Sequence, residues 1–175
     1  MRSMPSTEYA LLGALISGPK HGYEILQLLD NALNGAWRVS TSQLYTLLRR
    51  LEKQGLLRSS KRIQDTRPTK RIFALTPAAR DLFFEWLNKP VEHVRDLRIE
   101  FLAKLFFFDR LSLQGGDVLI EAQIQSLKQF KKQITIRRKK ETDPFRKLVL
   151  DFKTATVESW LGWLTHQAKP FIRKG

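Results

Sequence analysis

Ser42, Tyr45, Thr46 and Arg49 recur at i, i+3, i+4 and i+7, the spacing that puts side chains on one face of an α-helix. Three hydroxyls and a guanidinium make that face hydrogen-bonding and cationic, with no neighbouring base to turn a hydroxyl into a nucleophile. Such a set donates and accepts at base edges and pairs with phosphate, which is the chemistry of a nucleic-acid reader. Leu44, Leu47, Leu48 and Leu51 keep the same spacing on the opposite side, so the helix has one face to bury and one to show. Thr41 and Gln43 flank the polar face in its first turn.

Catalytic chemistry finds no comparable set. His21, His93 and His166 stand apart from one another, and none lies in a metal-ligand spacing or beside a nucleophile. No glycine-rich phosphate loop or His-Glu-x-x-His motif is present. The chain has no cysteine, which removes thiolate ligands and disulfides. The pattern indicates a binder rather than an enzyme, with no metal and no cofactor.

Charge supports the same reading. The 175 residues carry a formal net charge of +14 with 42% hydrophobic residues, enough apolar content for a packed core and a bias toward phosphate polymers or anionic surfaces. Residues 49–71 hold nine Lys or Arg against Glu52 and Asp65, a net of +7, while the remainder of residues 1–88 sums to −1. The positive charge of this half is gathered on one structural unit, as a nucleic-acid face requires. No apolar run approaches the ~20 residues that cross a bilayer, and the N-terminal apolar spacing suits a core helix better than a signal peptide. A soluble, cytoplasmic protein with no membrane partner is the expectation.

The elements that must position these residues follow from periodicity and punctuation. A first helix is predicted over Ser6–Ser17, with Tyr9, Leu12 and Ile16 on its apolar face and Gly18-Pro19 as its stop. A second runs from about His21 to Leu33, burying Ile25, Leu28, Leu29 and Ala32, and ends at Asn34-Gly35. After Trp37-Arg38-Val39 the third helix opens at Ser40, with Gln43 placed to close a capping box, and stops at Gly55. Leu57–Gln64 and Lys70–Leu75 read as strands joined by a turn at Asp65-Thr66-Arg67-Pro68, and Thr76-Pro77 caps a fourth helix. Helix, helix, helix, strand, strand, helix is the winged helix-turn-helix order. Arg62, Arg67, Thr69, Lys70 and Arg71 then belong to a basic wing beside the reading helix. Lys20, His21 and Tyr23, at the entry to the second helix, complete the candidate DNA-binding set, His21 either as a cap or as a phosphate contact.

Lys89-Pro90 marks a boundary, giving a DNA-binding domain over residues 1–89 and a helical domain over 90–175. The second is predicted to hold helices at about 95–108, 114–141 and 144–168. Ile120, Ile124 and Leu127 line one helix, and Phe145, Leu148, Phe152, Trp160 and Trp163 the last. Stripes this long need a partner surface, and a second copy supplies it. A homodimer on a pseudo-palindromic operator in double-stranded DNA is the expectation. Two readings stand for the run Lys128, Lys131, Lys132, Arg137–Lys140: a solvated face, or a second contact to DNA or another anion. Two also stand for Trp160, Trp163 and Phe106–Phe108: dimer core, or the walls of an effector pocket. The fold class is mainly α with a small β-hairpin wing.

The segment from Tyr9 to Leu57 resembles the PadR-like transcriptional regulators. The marks are Tyr9-Ala10-Leu11-Leu12-Gly13, the turn Gly18-Pro19-Lys20-His21-Gly22-Tyr23-Glu24-Ile25, Trp37, and Ser40 followed by Leu44-Tyr45, Leu48, Leu51-Glu52 and Gly55-Leu56. The strand Arg71 to Thr76 is similar to the basic-aromatic strand of that family. Val39-Ser40 and Thr41-Ser42 replace the Pro-Ser or Pro-Gly often found there, and Ile72-Phe73 replaces an aromatic pair. The resemblance implies a dimeric repressor of nearby genes, with a C-terminal helical dimerisation domain in members of this length, and in some members release from DNA by phenolic acids or hydrophobic drugs. The competing reading is a winged helix used for protein contact or for sequence-blind, architectural DNA coating.

Overall fold

The computed structural model describes residues 4–33, 39–64 and 67–174, with side chains throughout these outside 61–70 and 173–174. The chain divides into two compact units, Met1–Asn88 with Arg98–Phe107, and Lys89–Leu97 with Phe108–Gly175.

The first unit runs α1 (Ser6–Ala14), β1 (Lys20–His21), α2 (Gly22–Leu33), α3 (Thr41–Lys53), β2 (Leu57–Gln64), β3 (Arg67–Leu75) and α4 (Pro77–Leu87). The three strands form an antiparallel sheet in the order β1-β3-β2. Leu57 pairs with Leu75 and Ser59 with Phe73, and the register shifts between Arg62 and Gln64. On the other side of β3, Lys20 pairs with Phe73 and His21 with Ile72. This third strand is absent from the sequence reading because two residues carry no periodicity. The expected turn over Asp65–Pro68 is shorter, since Arg67 and Pro68 already stand in β3; Asp65 and Thr66 lie outside the described residues, as do the helix stop at Asn34-Gly35 and Trp37.

α1 departs from expectation. It ends at Ala14 rather than Ser17 and buries Glu8, Ala10, Leu11, Leu12 and Ala14, leaving Tyr9 and Ile16 half-buried. Five consecutive buried residues, Ala10–Ala14, leave the helix with no single inward face. Tyr9 stacks on Trp86, ring centroids 5.0 Å apart. Phe83 and Phe107 meet edge to face at 5.2 Å. Both rings press on Gly13, where an added Cβ would fall 2.4 Å from the Phe107 ring and 2.6 Å from Phe83. Gly13→Ala is therefore expected to cost about 1–3 kcal/mol through overpacking, against alanine's better helix propensity; urea denaturation checks it.

The helix expected near residues 95–108 is three pieces: a 3₁₀ turn at Val94–Asp96, a π turn at Leu97–Phe101, and α5 at Leu102–Arg110. Glu100, in the π turn, organises the polar side of this packing. Its Oε1 accepts from Lys104 Nζ at 2.9 Å and from Trp86 Nε1 at 3.0 Å, and its Oε2 from the Ser6 hydroxyl at 2.6 Å. Lys104 is buried, its ammonium 4.8 Å from the centre of the Trp86 ring. A charge placed so deep needs such partners.

In the second unit α6 (Gly116–Lys140) and α7 (Pro144–Trp163) form an antiparallel hairpin, followed by a π turn at Leu164–Ala168 and α8 (Lys169–Lys174). Pro170 explains the widened turn before it, because its ring cannot sit against the carbonyl four residues back in a regular helix. Buried Gln123 clips the segment after α4 to α6, accepting from Val91 N–H at 2.6 Å and donating to Val91 C=O at 3.1 Å.

Candidate nucleic-acid interface

α3 is seated by its leucines and started by its cap. Leu44, Leu48 and Leu51 are fully buried and Leu47 half-buried. The Ser40 hydroxyl accepts from Gln43 N–H at 3.2 Å, while Gln43 Oε1 accepts from Ser40 N–H at 3.0 Å. Both halves of the capping box are thus closed, which fixes the first turn and engages the Gln43 carbonyl oxygen. Thr41, Ser42, Gln43, Thr46 and Arg49 are exposed. Thr46 donates its hydroxyl to the Ser42 carbonyl at 3.0 Å, leaving its oxygen to act as an acceptor. Arg49 has no carboxylate partner among the described residues, whereas the next residue, Arg50, itself exposed, pairs with buried Glu8.

Tyr45 is only half-buried and does not project freely. Its ring lies over the start of α2, where a Cβ on Gly22 would meet the phenol carbon and oxygen at 2.9 Å. Gly22 thus permits the two helices to close around Tyr45, a role that its place in a turn signature did not reveal. At the same entry His21 acts as a cap: its Nδ1 accepts from Tyr23 N–H at 3.2 Å, and its own N–H donates to Glu24 at 2.6 Å. Lys20 Nζ donates to the Ser17 hydroxyl at 3.0 Å, and Tyr23 is 57% exposed. β1 brings this entry alongside β3, so Lys20, His21 and Tyr23 share a unit with the wing and α3.

Of the wing residues, the side chains of Arg62, Arg67, Thr69 and Lys70 lie outside those described. Arg71 is described, half-exposed and engaged by partners of its own unit. Its Nη2 donates to Glu52 Oε2 at 2.6 Å and its Nε to the Ser59 hydroxyl at 2.9 Å, while that hydroxyl donates to Glu52 Oε1 at 2.5 Å. The Ser59 hydroxyl is the largest influence and, together with the Arg71 guanidinium, holds the Glu52 carboxyl below its ordinary pKa against burial, which acts the other way. Glu52 and Ser59 were not among the candidate site residues. Lys53 and Arg58 add exposed cations between α3 and the wing.

The candidate dimer residues divide into two groups. Ile120, Ile124 and Leu127 are already buried within the single chain, so they need no second copy. Phe145, Leu148 and Phe152 stand 71%, 62% and 72% exposed on one stripe of α7. Trp160 and Trp163, half-buried, pack edge to face at 5.6 Å. Two members of the basic run are occupied across the hairpin, Lys131 with Glu158 at 2.7 Å and Arg138 with Asp151 at 2.8 Å.

Among the described residues no helix is long and apolar enough to cross a membrane, and no three His, Cys, Asp or Glu cluster as metal ligands.

Residues 11–84 match the model of the transcriptional regulator PadR-like family. The negative transcriptional regulator PadR of Bacillus subtilis is 32% identical over 121 residues, covering 67% of this chain and 65% of its own length. A probable transcriptional regulator of Mycobacterium tuberculosis is 26% identical over 87 residues, covering 50% of this chain and 46% of its own. The chain thus spans less than two thirds of either relative. Among solved structures, Bacillus subtilis PadR in complex with operator DNA aligns with 96% of this chain and 99% of its own, at 25% identity and a TM-score of 0.49.

Proposed function

We propose that this chain, which belongs to the transcriptional regulator PadR-like family, is a dimeric, sequence-specific DNA-binding repressor of nearby genes. The observation that carries the reading is the exposed face of α3. Thr41, Ser42, Thr46 and Arg49 are presented on a helix whose other side is locked by buried leucines and whose start is closed by a capping box. A short-chained hydrogen-bonding turn followed by a cation is what a helix needs to approach base edges in the major groove. The name of the 32% identical relative, a negative regulator, supports repression as the sign of control.

Dimerisation is the second part of the reading, supported by the exposed Phe145, Leu148 and Phe152 stripe; two copies let two reading helices meet two half-sites. A small aromatic effector that releases DNA is the third. In the C-terminal unit a cleft of about 520 Å³ is lined by Glu92, His93, Arg95, Phe130, Phe152 and Lys153, aromatic walls with two cations and one carboxylate at hand for a polar group. The protein works in the cytoplasm and catalyses nothing.

Purified full-length protein should select discrete fragments from genomic DNA. At physiological salt it should hold them at least ~10³-fold more tightly than random sequence. A ratio near one would indicate a sequence-blind coating protein, and no DNA binding a protein-contact module. Arg49→Ala is expected to lower operator affinity by about 1–3 kcal/mol while leaving the oligomeric state unchanged; unaltered affinity in a gel-shift titration would take α3 off the DNA.

A further inference from the structure

We propose that Arg71 governs DNA discrimination without touching DNA, as the positioning residue of a closed Glu52–Ser59–Arg71 ring that fixes the wing against the reading helix. This rests on the DNA-binding reading above.

The ring joins three elements, one residue from each. Glu52 comes from the last turn of α3, Ser59 from β2 and Arg71 from β3. Every link is a charge-assisted or hydroxyl hydrogen bond of 2.5–2.9 Å. Both carboxylate oxygens are engaged, and the Ser59 hydroxyl gives one bond and receives one. Strand register makes the arrangement possible. Ser59 lies opposite Phe73, and Arg71, two residues before Phe73, shares its face of the ribbon. The guanidinium also lies over the ring of fully buried Phe73, 5.4 Å from its centre. Among the described side chains this is the anchor nearest the wing tip.

Leverage makes the anchor matter for recognition. About five residues of strand separate Ser59 from the turn, or roughly 17 Å. A tilt of about 10° at the ring would carry the tip some ~3 Å, while a hydrogen bond tolerates a few tenths of an ångström. Reading by α3 and contact by the wing can therefore be simultaneous only if the angle between them is held. An arginine committed to a carboxylate and a hydroxyl is poorly placed to bind phosphate as well.

The test uses the full chain, its selected genomic operator and random DNA of equal length, each titrated across a series of salt concentrations. Arg71→Ala and Glu52→Gln should each lower the operator-to-random affinity ratio about tenfold. Arg71→Ala should leave the salt slope for random DNA unchanged, because no phosphate contact is lost. Glu52→Gln, which releases the guanidinium, should steepen that slope by up to ~1. The double variant should be no worse than the poorer single one, since both break the same ring. Arg71→Lys should not restore the ratio, as an ammonium cannot span both partners. Arg71→Ala lowering both affinities equally with a slope shallower by ~1 would make Arg71 a phosphate contact and overturn the proposal. An unchanged ratio in the nearly isosteric Glu52→Gln would overturn it too, and serves if Arg71→Ala fails to fold. A wild-type chain with no preference for any fragment would remove the regulator reading and the proposal with it, and that result is seen before any substitution is made.

Discussion

The double substitution Phe145→Asp, Phe152→Asp is expected to leave a folded monomer whose operator affinity is lower by on the order of a thousandfold. The two rings and Leu148 between them are the most exposed large apolar side chains of α7, and they occupy one stripe of it at i, i+3 and i+7. An exposed patch of that kind on a long helix marks a surface that another molecule covers. If the cover is a second copy, two carboxylates placed there in each protomer must be desolvated without partners, which dissociates the pair. A single reading domain then meets a single half-site, and the gain from tethering the second is lost. Sedimentation velocity and gel-shift titration read the two effects separately. A double variant that sediments with the wild-type chain would refute the α7 interface. Point charges are a cleaner probe than deletion of residues 144–175, because α7 and the segment after it pack on α6. Their removal would strip cover from Ile120, Ile124 and Leu127.

Glu100→Ala is expected to destabilise the first unit by about 3–5 kcal/mol, enough to unfold a marginal domain. The carboxylate answers a buried ammonium, an indole N–H and a serine hydroxyl at once. Removing it takes the carboxylate from a cation that is 1% exposed. Lys104→Met points the other way. A flexible apolar chain of similar length can fill the space beside Trp86, and Glu100, being partly exposed, keeps its indole and serine donors and some access to water. The expected cost is within about 1 kcal/mol of zero. Chemical denaturation of the two variants side by side gives the asymmetry, and equal losses would show that the ion pair acts as a simple contact.

Much of the reading apparatus is legible in the sequence alone, for reasons that stop where locality stops. The α3 leucines repeat at the helical period, Ser40 and Gln43 form a cap within four residues, and β2 and β3 adjoin in sequence. Each signal is short-range, and the bounds of these elements agree within a few residues. What is not legible depends on partners distant in the chain. Glu8, Glu100 and Lys104 look like surface charges until α3 brings Arg50 to Glu8, and α1 and α4 bring Ser6 and Trp86 to Glu100 beside Lys104. Arg71 counts as one more wing cation until its register with Ser59 is known. The stripe on α6 looks open because no pattern in a sequence says that a later helix of the same chain will lie across it.

The two halves of this chain are not separable by one cut. A junction at Lys89-Pro90, where composition invites it, would leave a reading unit without Arg98–Phe107. That fragment lacks the Phe107 ring against Phe83 and Gly13, and lacks Glu100 beneath Trp86. Recombination cannot therefore move the reader between proteins as a cassette ending at Asn88. Any transferable piece must extend past Phe107 and so carry the first turns of its neighbour with it. Specificity can then pass between proteins of this plan only with residues 89–97, which belong to the other unit, carried along.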